Sequence, residues 1–94
     1  MKHYIIAKFV EDFDWKAEVP EIMTLFNELL GTPGIHGVEV KPCCINRPNR
    51  YDLMIEIDMD QDALSAYDAS NPHKVWKETY GDKMQKKTIF DSEA

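Results

Sequence analysis

The sequence carries no disulfide framework, no long apolar run and no basic field. Its two cysteines are neighbours, Cys43 and Cys44, and adjacent cysteines cannot staple distant parts of a fold as a secreted scaffold does. A reducing compartment is the expectation. No stretch approaches the roughly 20 consecutive apolar residues of a membrane span. The start, Met1-Lys2-His3-Tyr4, enters a short, charged apolar segment without the long apolar stretch and small-residue cleavage site of a signal peptide. These absences predict a cytoplasmic protein that does not engage a membrane. Net charge is −6, and the cluster Lys83, Lys86, Lys87 is offset by Asp82, Asp91 and Glu93. Phosphate backbones require a basic field, so nucleic acid is not an expected partner. A glycine-rich phosphate loop and a serine-centred nucleophile elbow are missing as well.

What is present fits one small domain, spanning residues 1–94. A chain of this length buries only about two-thirds of its unfolded surface, so such domains commonly draw stability from disulfides, metals or self-association. Self-association is the route left open.

Residues 3 to 10, His-Tyr-Ile-Ile-Ala-Lys-Phe-Val, are β-branched or aromatic in both alternating sets, which predicts a strand covered on both faces. The run from Pro20 to Gly31 places apolar residues at 22, 25, 26, 29 and 30, the helical period. Pro20 suits a first helical position and Gly31 a C-terminal cap, with an earlier start at Trp15 as the alternative. Ile35 to Cys44 alternates through Val38, Val40 and Pro42 as a second strand, and Asn46-Arg47-Pro48-Asn49-Arg50 is a connection. Tyr51 to Met59 has the cleanest period of two in the chain and predicts a third strand. Asp60 suits the cap of a short helix through Tyr67, with Asp62 in its first turn. Asn71-Pro72 reads as an N-cap and first position of another helix that Gly81 ends, and Lys87 to Asp91 supplies a last strand. The order predicts an α+β, ferredoxin-like βαββαβ sandwich with a four-stranded antiparallel sheet and helices on one face.

That arrangement leaves one sheet face uncovered. If His3, Ile5, Ala7 and Phe9 face the helices, then Tyr4, Ile6 and Val10 form an apolar patch on the other side, joined by Asp52, Met54, Glu56 and Asp58. Lys8 beside Glu56 is an expected charge pair. A two-fold partner laying its own sheet on this face would cover it, pairing two chains into a dimeric α/β barrel. A monomer with a half-polar exposed sheet is the alternative.

The chain resembles the stress-responsive dimeric α/β-barrel (Dabb) domains. The resemblance runs through Lys2-His3, Lys8-Phe9, Thr32-Pro33-Gly34-Ile35 and Asn49-Arg50-Tyr51-Asp52-Leu53. It continues through Ala63-Leu64-Ser65-Ala66-Tyr67, Asn71-Pro72-His73 and Ile89-Phe90-Asp91. It rests on the order and spacing of these segments, with no single diagnostic motif. It implies a homodimer and, by distant similarity to a plant polyketide cyclase, a small-molecule pocket between sheet and helices. In that cyclase a histidine at the start of the last helix and a tyrosine six residues before it close a poly-β-keto chain by aldol condensation. Tyr67 and His73 have that spacing, Trp76 matches a pocket aromatic and His3 a histidine of the first strand. The sequence departs from the cyclase at Leu53, which replaces another pocket histidine, and in a proline one residue nearer to His73.

The residues themselves add to this. His73 near the start of a helix lies at the positive end of the dipole, where an uncharged imidazole is favoured and can act as a base. His73, Trp76 and Tyr80 fall at i, i+3 and i+7, one helix face. Tyr67 offers an apolar body with a hydroxyl able to donate to an enolate or carbonyl oxygen. The bland alternatives are a His73 that only packs or caps and a Tyr67 that only fills the core. His3, Ile5, Leu53, Trp76 and Ile89 complete the expected substrate-binding set. His3, His36 and His73 are far apart and no carboxylate accompanies them at a ligand spacing, so neither metal nor cofactor is expected. Cys43 and Cys44, with Lys41 the nearest cation, are expected to pack at a strand end. The expected function is cofactor-free acid/base chemistry on a small carbonyl compound, or, in the alternative, stress-related small-molecule binding without turnover. Cofactor-free oxygenase chemistry is a further possibility on barrels of this kind.

Overall fold

A computed structural model describes residues 1–93. Strand β1 (Lys2–Phe9) leads to helix α1 (Trp15–Asn27), which tightens into a 3₁₀ turn over Glu28–Gly31. Strands β2 (Ile35–Pro42) and β3 (Leu53–Met59) follow. A 3₁₀ turn at Gln61–Ala63 leads into helix α2 (Leu64–Asp68), then helix α3 (Asn71–Tyr80) and strand β4 (Met84–Ser92). The sheet has four strands in the order β2-β3-β1-β4, every neighbouring pair antiparallel. This is the ferredoxin-like architecture expected.

The inner face of the sheet is set by strict alternation. In β1 the residues His3, Ile5, Ala7 and Phe9 are buried, and in β3 Leu53, Ile55, Ile57 and Met59 are buried. Ile22, Phe26 and Leu29 of the α1 segment lie at i, i+4 and i+7 and close over them, because that stripe is the helix's apolar face. Tyr67, Trp76 and Tyr80 complete the core, with Trp76 edge-on to Phe26 at 5.3 Å. Leu30, of the same periodic set, is half exposed.

Several local expectations are corrected. Helix α1 begins at Trp15, so Pro20 sits inside it. One lost backbone bond there is tolerated because Trp15 and Val19 pack against the core and Trp15 stacks on Phe9 at 6.3 Å. Gly31 is the last residue of the 3₁₀ turn, and the left-handed conformation falls instead on Gly34, at φ 89°. A side chain there would meet Ala63 Cβ at 2.8 Å, so the turn into β2 needs glycine twice over. Strand β2 ends at Pro42, two residues early, and a bulge between Ile35 and Gly37 shifts its parity. Ile35 and Val40 thereby reach the same buried face. Asp60 makes no capping bond; its carboxylate accepts from His36 Nε2 at 2.9 Å. The cap of α3 is Ser70, whose Oγ accepts the His73 N–H at 3.3 Å, which makes Asn71 the first helical residue, Pro72 the second and His73 the third. Lys8 does not pair with Glu56. Tyr4 stands opposite Glu56, so Lys2 reaches Glu56 and Asp58, while Lys8 donates to the Arg50 carbonyl.

Candidate functional site

Six of the seven residues singled out from sequence surround one cleft, of about 140 Å³, between the β1/β4 end of the sheet and helices α2 and α3. Strand β1 contributes His3 and Ile5, neighbours on one face by alternation. Helix α2 contributes Tyr67, and α3 contributes His73 and Trp76, three residues apart on one helical face. Ile89 of β4, directly opposite Ile5 in the ladder, forms the outer wall with Lys87. Leu53 is not brought to the cleft. It is 1% exposed, pairs with Ala7 and belongs to the packed core.

Tyr67 lies between two imidazoles. Its ring centroid is 5.2 Å from that of His3 and 4.8 Å from that of His73. The residue is 2% exposed, and no hydrogen bond joins its hydroxyl to another described residue. Burial, and secondarily the charge of Asp68, holds this hydroxyl well above the ordinary tyrosine range. It is therefore a neutral donor at any physiological pH.

Each imidazole is anchored through Nδ1. His3 Nδ1 donates to Asp91 Oδ1 at 2.5 Å, and His73 Nδ1 donates to the Asp68 carbonyl at 2.9 Å. A carbonyl only accepts, so Nδ1 of His73 carries the proton and the neutral ring keeps its lone pair on Nε2. His3 is held in the same tautomer by a carboxylate. The arrangement supplies two Nε2 acceptors, one phenolic donor and apolar walls, a set able to take a proton and to stabilise a developing oxyanion. His73 is half-buried and makes no bond to the Tyr67 hydroxyl.

Sequence reading missed Asp91, Asp68 and Lys87. The two carboxylates that meet histidines do so across the fold: His3 meets Asp91 from 88 positions away and His36 meets Asp60. The available signal was antiparallel register: a strand beginning at His3 and a last strand ending near Asp91 bring those two together at the sheet end. Among the described residues, no three histidine, cysteine or carboxylate groups converge as metal ligands. None of the described helices is long and apolar enough to cross a membrane. Cys43 is partly buried and Cys44 exposed just past the end of β2, and neither joins the core.

No family model matches the chain, nor does any curated protein sequence. Solved structures do match. A dimeric ferredoxin-like protein of unknown function from Thermobifida fusca superposes with a TM-score of 0.79 at 14% identity, over 95% of this chain and 85% of that one. A Dabb family protein with a ferredoxin-like fold from Mesorhizobium loti gives 0.70 at 14% identity, over 99% and 94%. Hydroxynitrile lyase from Passiflora edulis gives 0.73 at 11% identity, over 99% and 94%. The chain thus has the ferredoxin-like α+β fold, carried by a Dabb family protein and by dimeric proteins of unknown function. At these identities the likeness is one of fold alone.

Proposed function

We propose that the protein is a homodimer whose cleft binds a small, partly apolar carbonyl compound and performs acid/base chemistry on it without a cofactor. His73 Nε2 acts as general base, the Tyr67 hydroxyl donates to the carbonyl or enolate oxygen, and Ile5, Trp76 and Ile89 hold the apolar part. The observation that carries this reading is the neutral hydroxyl of Tyr67, which no hydrogen bond joins to another described residue, on a ring set between two imidazoles that both have Nδ1 occupied. A cleft of about 140 Å³ suits a body of single-ring size, since an apolar cavity of about 150 Å³ holds benzene. A longer substrate would extend past the exposed β4 wall. The hydroxynitrile lyase of the same fold supports the view that such scaffolds carry lyase-type chemistry.

A thermal-shift and turnover screen against aromatic and β-keto acids tests it. His73→Ala should lose about 10² to 10⁴ of any activity found, with a stability cost near 1 kcal/mol at most, because a third helical residue adds little to the core. Ligand response without turnover, equal in wild type and His73→Ala, would leave only the second reading, a stress-related binding dimer.

The dimer reading rests on the outer sheet face. Tyr4 and Ile6 are only partly buried there, and Phe90, 59% exposed, lies 6.2 Å from the Tyr4 ring. Val10 lies just past the end of β1, tied by its N–H to the Lys83 carbonyl. Covering this face with a second copy would remove the patch. A sedimentation mass of one chain at micromolar concentration would rule the dimer out.

A further inference from the structure

Away from the cleft, two thiols form a cluster that the proposed chemistry does not use. The β2 ladder ends at Pro42, so Cys43 and Cys44 escape the alternation that sends successive side chains to opposite faces, and both line one hollow of about 250 Å³. The Cys43 backbone is fixed, its N–H donating to the Asp52 carbonyl at 2.8 Å. Its Sγ donates to the Ile45 carbonyl at 3.4 Å, and Cys44 is exposed. The facing wall is the first turn of α1, with Trp15 and Lys16.

The donor set selects the ligand. Zinc and harder cations need three or four nitrogen, oxygen or sulfur donors. This hollow has no imidazole, and its one carboxylate, Asp52, already accepts the Phe9 N–H at 2.8 Å. What is left is two soft sulfurs on adjacent residues, whose Cα atoms are about 3.8 Å apart. We propose that Cys43 and Cys44 form a dithiol site for trivalent arsenic. With phenylarsine oxide, each Sγ forms a bond to arsenic as the arsenic–oxygen bonds break. Both thiol protons leave with the oxygen as one water, and arsenic stays trivalent, so no oxidant or reductant is needed.

The test is titration of the reduced full-length protein with phenylarsine oxide, read by intact mass and by fluorescence. The expected result is one arsenical per chain and a fluorescence change that Trp15→Phe abolishes, since Trp15 lines the hollow. Cys43→Ser and Cys44→Ser should each weaken capture about 10²-fold or more, the gain a second tethered contact provides. Both variants should melt with the wild type because neither residue is in the core. His73→Ala should capture as wild type does, which separates this site from the cleft. Capture by either serine variant within threefold of wild type, or one arsenical shared between two chains, would overturn the proposal.

Discussion

Strands β3 and β4 flank β1 on opposite sides, pair with it in the same antiparallel sense and differ in length by two residues, yet their surroundings have little in common. In β3 every second residue is buried; in β4 nothing from Gln85 to Asp91 is. The helices cover β3 and leave the β4 edge open. Hydrogen-bond pairing, then, does not decide a strand's role; coverage does. The covered strand builds the core, and the open one becomes a wall whose inner residues, Lys87, Ile89 and Asp91, remain available for chemistry.

The contrast can be tested by substitution. Ile55→Ala, at 0% exposure, should have the largest effect, a loss of about 2 to 5 kcal/mol in urea unfolding, because a cavity opens under α1. A loss below about 0.5 kcal/mol, the range of neutral surface changes, would show that β3 is not the core strand.

The next effect is on pH. Burial raises the Tyr67 hydroxyl, and burial with the Glu18 and Glu21 charges raises that of Tyr80. In the unfolded chain tyrosine ionises near pH 10. Above that pH the unfolded state releases a proton that the folded state retains, so stability is full below pH 10 and falls as pH rises. The slope for Tyr67 is about 1.4 kcal/mol per pH unit. Tyr67→Phe should flatten the fall, measured as urea midpoints between pH 9 and 11, and an unchanged slope would mean that the hydroxyl is solvated.

Asp91→Ala removes the acceptor of a 95%-buried histidine from the open strand. The expected cost is about 1 kcal/mol, with the His3 ring losing its Nδ1–H preference in ¹⁵N NMR. A retained tautomer would show that something other than Asp91 orients it. Ile89→Ala, at 46% exposure, should have the smallest effect, within about 0.5 kcal/mol, while widening the cleft. A cost approaching that of Ile55→Ala would erase the distinction between the strands.

Much of this molecule was legible in the chain. The period-two set Leu53, Ile55, Ile57 and the stripe Ile22, Phe26, Leu29 declare which residues turn inward, because burial of one face imposes its period on the sequence. The order of elements and their turn residues then leave few topologies. Tyr67, His73 and Trp76 stood out because their spacing is local to two short helices.

The remainder depended on contacts between distant segments. Register placed Asp91 on His3 and Lys2, not Lys8, beside Glu56; sequence periodicity reports a face but not which residues stand opposite. A bulge reversed the parity of β2, an event with no periodic signature. Packing of Trp15 carried α1 through Pro20, where local propensity argued for a start. Leu53 was absorbed into the core while Ile89, of like chemistry, was left at the cleft, since the coverage that separates them exists only after the helices dock. Local pattern declares which face of each element is apolar; which of those faces are covered follows from docking, because coverage is set by neighbours that lie far away along the chain.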